Sequence, residues 1–288
     1  MPTRFWVWIL GLVSALVAGL GHSARGESLD PPVLTLAPGA ILPLGGEAAW
    51  AQGHDLPAPF GVSATAMFMV GHYRVDELRL ALGPGEPTVS PFVAVGEVKA
   101  RAQSYMTRWD AWVLPFLDVY GLAGYTMGTA STNVTVLPPL SPTGSAAQFP
   151  IKVRYEGPTV GGGATLAWGY EKFFVQLDGN YTYTMLDFPD SAVHCFVVDP
   201  RIGLRDKVGP FTAAVWVGAM WQYVPQTLTG TFNFLPGVTT PFEADIRASE
   251  PWNYTIGTQW DYGKNFSFLA ECGLGDRRHV MFSLMLRF

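Results

Sequence analysis

From His279 to Phe288 the sequence alternates. Val280, Phe282, Leu284, Leu286 and Phe288 are apolar, whereas His279, Ser283 and Arg287 on the other parity are polar, with Met281 and Met285 between them. Successive side chains of a strand point to opposite faces, so this segment is a β-strand with one apolar and one mixed face. A water-soluble domain seldom leaves such a face finishing on an unprotected aromatic ring. A bilayer accommodates one, because the ring sits among the lipid headgroups.

The start of the sequence adds a second constraint. Arg4 precedes an apolar run from Phe5 to Leu20, and small or polar residues follow. That is the layout of a secretory signal peptide. Ala24-Arg25-Gly26 puts small residues at the two positions a signal peptidase needs, so residues 1–26 are expected to be the signal, cleaved after Gly26. No Cys adjoins the site, which argues against a lipoprotein. The alternative is an uncleaved anchor, but the run of about 16 residues falls short of the roughly 20 that a spanning helix needs. No other segment is apolar enough to span a membrane as a helix.

Removing Arg4 and Arg25 with the signal moves the formal charge from −5 to −7, which gives no support to nucleic-acid binding. Only 14% of residues are charged, against about 25% in a typical soluble protein. Lysine is confined to Lys99, Lys152, Lys172, Lys207 and Lys264. A soluble protein would cover its outside with Lys and Glu; this chain uses aromatics, Gly and Thr. Cys195 and Cys272 fall on strands that are not neighbours, one inward and one outward, and are expected to be unpaired small hydrophobes. There is no CxxC or Cys/His zinc spacing, and no metal or cofactor is expected.

Period-2 alternation bounded by turn residues predicts ten strands, centred near Ala66, Tyr105, Leu122, Val160, Asp178, Ile202, Val217, Ile256, Leu269 and Leu284. Tight turns follow the even-numbered ones, at Leu114-Pro115-Phe116, Tyr170-Glu171-Lys172, Asp206-Lys207-Val208-Gly209 and Tyr262-Gly263-Lys264-Asn265. The odd-numbered strands are followed by longer Pro-, Gly- and Thr-rich connections, Arg74 to Gly96, Thr129 to Arg154 and Val224 to Ala244, with shorter ones near Asp190 and Gly275. This parity predicts an all-β, antiparallel, up-and-down transmembrane barrel, with short periplasmic turns, long external loops and both termini in the periplasm. Eight or twelve strands are the alternatives, if Val75 to Leu82 pairs or the first strand is misread.

The strand centred on Ile256 tests the idea by length. Trp252, Tyr254, Ile256, Trp260 and Tyr262 share one face, and Asn253, Thr255, Gly257, Gln259 and Asp261 the other. Ten residues of strand span about 33 Å, or roughly 25 Å of height at a 40° tilt, the thickness of the apolar band of such barrels. Val175, Leu177, Tyr181, Tyr183 and Met185 form a second such face, opposite Gln176, Asp178, Asn180, Thr182 and Thr184; Phe211, Val215, Val217, Trp221 and Tyr223 form a third. A soluble lipocalin-type barrel would turn these aromatics inward and show water a Gly/Thr/Asn/Gln face with almost no Lys.

Taken together, the terminal strand, the signal and the hairpin pattern resemble bacterial outer-membrane β-barrel proteins of the Gram-negative type. The resemblance implies that Phe288, Leu286, Leu284 and Phe282 form an assembly signal read by the barrel-assembly machinery. It also implies delivery by periplasmic chaperones and residence in the outer membrane bilayer. It names no ligand and no oligomeric state.

The same register sends Arg108, Asp110, Asp118, Asp178, Asp199, Arg201, Arg205, Asp261, Glu271 and Arg287 inward. Opposite charges in a narrow barrel are expected to pair and to leave the lumen largely filled, with Asp178 facing Arg201 or Arg205. The other reading of the same residues is a small polar pore whose charges set selectivity. Gly161, Gly162, Gly163, Gly203, Gly218 and Gly257 leave room or allow close strand contacts; the run is not a phosphate loop, since no Lys-Ser/Thr and helix follow.

Catalytic signals are weak. His22 goes with the signal and His54 lies in the leader, leaving His72, His194 and His279. Asp276 and Glu271 near His279 are the best acid–base pair, and Ser191 with His194 is the only serine–histidine candidate; HExxH is absent. No catalytic residue is assigned and no enzyme is expected. Residues 27–58, rich in Pro and Gly, are too broken for a helix and are expected to be a mobile periplasmic leader, or a plug through Val33 to Leu44. The barrel is expected over 59–288. The function these features support is a non-enzymatic, porin-like outer-membrane barrel, structural or a narrow small-solute channel. The alternatives are an adhesin or receptor acting through its external loops, foremost Thr129 to Arg154, and a hydrolase with an Asp/His site.

Overall fold

The computed structural model describes residues 42–51, 56–81, 88–89, 91–139, 141, 144–187, 192–235 and 238–288. The expected signal, residues 27–41 and 52–55 of the leader, and Ser191 lie outside them. A short helix, α1 (Gly46–Ala51), precedes fourteen strands. These are β1 (Phe60–Leu80), β2 (Thr88–Val89), β3 (Val93–Val95), β4 (Val98–Leu114), β5 (Leu117–Val136), β6 (Ala147–Tyr170) and β7 (Phe173–Met185). They continue with β8 (Ala192–Val208), β9 (Phe211–Tyr223), β10 (Gln226–Leu235), β11 (Val238–Ala248), β12 (Trp252–Tyr262), β13 (Phe266–Leu274) and β14 (Arg278–Arg287).

Ten of these strands close an antiparallel barrel in the order β1-β4-β5-β6-β7-β8-β9-β12-β13-β14, with β14 returning to β1. They are the ten that the alternation predicts. At the closure Ala66 faces Phe282 on one side and Tyr105 on the other. Phe60 and Phe288 exchange backbone hydrogen bonds, N to O at 3.1 and 3.0 Å, and their rings stack. Within the ten-stranded barrel each strand is paired on both sides, which removes the open edges that could recruit another chain.

The exterior follows from the alternation. Outward rings gather at the turn end (Trp168, Tyr170, Phe173, Phe266) and again higher up (Phe68, Tyr105, Tyr125, Phe196, Tyr254). Tyr254 is 73% exposed and Trp168 62%, and aliphatics such as Val217 (56%) and Leu284 (51%) occupy the zone between the rings. Soluble proteins rarely expose apolar patches beyond a few hundred Å²; here the patch encircles the molecule. The aromatics are outside, which excludes the lipocalin-type arrangement. Just above the upper ring, Arg278, Arg101 and Arg154 lie in one lateral row, joined through Val70 and Thr129. All three are exposed.

Four details depart from the sequence expectation. The turn after β8 lies at Gly209-Pro210 rather than at Asp206–Gly209, because β8 continues to Val208. The long connections are largely strand. Val75 to Leu80 does pair, with β11 and β2, but as an extension of β1 and not as a further barrel strand. Val224 to Ala244 carries the β10–β11 hairpin, and β5 and β6 stay paired up to Val136 and Ala147. Finally, Gly46–Ala51 is a helix, against the expectation of none in the leader, and Leu44 beside it donates its N–H to the Val113 carbonyl at 2.8 Å.

Inside the tall part of the wall, Leu80, Val93, Val134 and Val136 form a buried apolar cluster, joined by Phe149, Ile151 and Phe242. Both cysteines are free; Cys195 lines the interior and Cys272 faces out.

Candidate functional site

The inward parity of the ten barrel strands builds a lumen whose polar side chains join into a belt. On β4, Arg108 pairs with Asp118 of β5 and lies 3.6 Å above the Tyr120 ring. Asp110, also on β4, sits 3.5 Å from Arg108 and accepts from Arg287 of β14 at 2.7 Å. Tyr120 donates its hydroxyl to Asp178 of β7 at 2.9 Å, and Thr165 of β6 donates to the same carboxylate at 2.6 Å. On β8, Arg201 spans Asp199 at 2.7 Å and Glu271 of β13 at 2.9 Å. Glu271 also accepts from Trp216 of β9 at 2.9 Å and lies 3.5 Å from His279 of β14. Nearer the turn end, Arg205 meets Asp261 at 3.1 Å.

The structure thus pairs nine of the ten inward charges with one another and leaves Asp178 to neutral donors. Asp178 does not face Arg201 or Arg205. Its Cα partner across the β7–β8 ladder is Asp199, and Arg201, two residues further on, turns to Asp199 and Glu271. Asp178 takes hydroxyls from Tyr120 and Thr165 and an amide N–H from Asn180 at 3.2 Å. Buried charges are costly without hydrogen bonds, and each of these carboxylates has at least one.

Glycine makes room for the inward aromatics of this belt. Trp216 faces Gly257 across the β9–β12 ladder, and any Cβ there would collide with the indole. Tyr120 faces Gly163 in the same way, where a Cβ would sit 2.6 Å from the phenol oxygen. Tyr120 and Trp216 were not among the expected site residues. Their signal is an aromatic on the polar parity of one strand opposite a glycine of the next, which shows only once the register is known.

The described residues do not fill the lumen, contrary to expectation. A cavity of about 2600 Å³ runs inside the barrel, bordered at the turn end by Phe116 and Lys264 and at the loop end by Leu80 and Val134. The belt residues lie against the wall and against one another: Asp118, Asp199 and Glu271 are all but inaccessible. On the β4–β7 side the interior positions are small (Ala100, Ala102, Ser104, Thr126, Thr159 and Thr184), and small side chains leave the space that larger ones would close.

Each of the three described histidines is engaged. His72 pairs with Asp276 at 2.8 Å, His194 meets the Tyr181 hydroxyl at 2.7 Å, and His279 is buried against Glu271. Asp276 therefore serves His72 and not His279. The Glu271 carboxylate is already held by Arg201 and Trp216, which favours a structural role over that of a base poised for a substrate. Among the described residues, no group of three His, Cys, Asp or Glu stands ready to hold a metal ion.

No family model matches this sequence, and no curated protein matches it. Solved structures of similar shape include the β domain of the Bordetella autotransporter Brka, at 11% identity and TM-score 0.35, covering 79% of this chain and all of that one. The translocator domain of autotransporter NalP from Neisseria meningitidis matches at 10% identity and TM-score 0.32, covering 84% of this chain and 93% of that one. A Pseudomonas aeruginosa FadL homologue matches at 8% identity and TM-score 0.29, covering 82% and 93%. At such scores the overlap is partial and assigns no activity to this barrel.

Proposed function

We propose that this chain is an integral outer-membrane β-barrel whose lumen passes small solutes. The observation that carries the reading is a cavity of about 2600 Å³, bordered by residues of both barrel ends, inside a wall whose outer face is apolar. Hydrocarbon on the outside and a polar belt on the inside are the two faces such a channel needs. The paired charges of the belt hold the wall rather than obstruct the passage, and the space left beside them on the small-residue side is the path. This belt, with Arg108, Asp110, Asp118, Asp199, Arg201, Glu271 and Arg287 at its centre, is the proposed site.

The exterior supports one orientation. The tight turns face the periplasm, and the tall strands with their row of arginines face outward, where that row meets the headgroup layer. In this reading residues 1–26 are the export signal, residues 27–58 a periplasmic leader and 59–288 the barrel. Phe282, Leu284, Leu286 and Phe288 are then the strand that periplasmic chaperones and the barrel-assembly machinery handle. No catalytic role is proposed for any histidine.

The test is reconstitution of the mature protein into liposomes, followed by swelling in small sugars and conductance in planar bilayers. Flux that falls off steeply with solute size is expected. Liposomes that stay tight to every small solute, around protein shown to be folded by heat-modifiable gel migration, would refute the channel.

A further inference from the structure

One buried cation remains outside the belt. Arg277, on the turn between β13 and β14, folds over the lumen beside Gly71 and lines the cavity, with 4% of its surface exposed. Its Nη2 reaches the Met220 carbonyl at 3.5 Å, while Nε and Nη1 are buried with no hydrogen-bond partner among the described residues. The neighbouring carboxylate, Asp276, is taken by His72. Among the described residues, the other lumen arginines, Arg108, Arg201, Arg205 and Arg287, each have a carboxylate within ion-pair distance, and Arg277 has none. A guanidinium withdrawn from water without a counter-charge is unfavourable, and its planar donors match a carboxylate.

The surroundings define the rest of the ligand. From Arg277 toward the loop end the cavity wall is apolar, with Val75, Leu78, Val98, Val153 and Ile246 facing in. A solute entering from that side meets aliphatic surface first, and at its foot a cation that lines the cavity without a carboxylate partner among the described residues.

We propose that Arg277 holds the carboxylate of a small amphipathic organic acid whose hydrocarbon body rests on this apolar wall. The proposal rests on the channel reading only for the route by which the acid arrives. It deepens that reading by naming the substrate class: compact monocarboxylates with an apolar body, in preference to neutral or cationic molecules of the same shape.

The test uses the mature barrel in lipid nanodiscs and isothermal titration with benzoate, benzyl alcohol and benzylammonium. Benzoate is expected to bind at least tenfold tighter than the other two. Arg277→Gln is expected to lose most of that preference, and Arg277→Lys to keep part of it. Equal affinities for the three probes, no benzoate binding, or an unchanged preference in Arg277→Gln overturns the proposal. If Arg277→Gln does not fold, the wild-type comparison of the three probes decides alone. Benzoate bound by a barrel that passes no solute into liposomes would sink the channel and leave the site standing. Solute flux without a benzoate preference would do the reverse.

Discussion

At the scale of single residues, the belt is sensitive to the loss of any one of its charges. Arg201 sits between Asp199 and Glu271 with little access to solvent. Removing one member of a buried ion cluster strands the others, typically at about 3–5 kcal/mol. Arg201→Leu is therefore expected to shift the urea midpoint of bilayer unfolding strongly downward; an unchanged midpoint would mean that the three charges are not coupled. Gly257→Ala is expected to cost about 1–3 kcal/mol by overpacking against Trp216, and the same change at Gly209, where a Cβ meets nothing but φ is +61°, tests strain alone. At the turn end, beyond the aromatic ring, Lys172 donates to Asp206 at 2.6 Å and holds its carboxyl below the usual carboxylate range. A depressed carboxyl stabilises the fold above its ordinary pKa and loses that contribution as the pH falls through the depressed one. Lys172→Ala is expected to narrow the stability gap between pH 7 and pH 3, by a small amount because the pair is exposed.

At the scale of elements, the lipid-facing positions carry a directional expectation. Val217 lies opposite Ile256 on the outer face of neighbouring strands β9 and β12. Val217→Arg is expected to cost about 2–4 kcal/mol of folding free energy in a bilayer if the position is near the midplane. Urea titration in lipid vesicles measures it, and a cost near zero would place β9 outside the hydrocarbon. The barrel strands were legible because hydrocarbon and lumen impose opposite chemistries on alternate residues, as from Trp252 to Tyr262. Beyond the apolar band that demand relaxes. β6 contains Pro150 and Pro158, residues that ordinarily argue against a strand, and the sequence there gives no sign that pairing continues. The β10–β11 hairpin was missed for the same reason, and α1 because its neighbourhood is dense in proline. Within the lumen, parity placed the charges inward, but not their partners. Whether Arg201 turns to Asp178 or to Glu271 depends on register across strands far apart in sequence, and whether the lumen closes depends on how many of the remaining inward residues are as small as Ala100 and Thr159.

At the scale of the whole molecule, the girdle of rings and aliphatics touches lipid while the belt faces an internal passage. The channel depends on that sidedness: the same strands turned inside out would enclose a greasy core and carry a polar, almost Lys-free surface. The most direct measurement is a nitroxide scan along β9, Phe211 to Tyr223, in liposomes, one cysteine at a time in a background carrying Cys195→Ser and Cys272→Ser. Collision with oxygen is expected to peak at the odd-numbered positions, Val215 and Val217 above all, and access to a water-soluble nickel complex at the even ones such as Ala214. Oxygen maxima at the even-numbered positions, or no alternation along the strand, would show that the apolar face does not meet lipid.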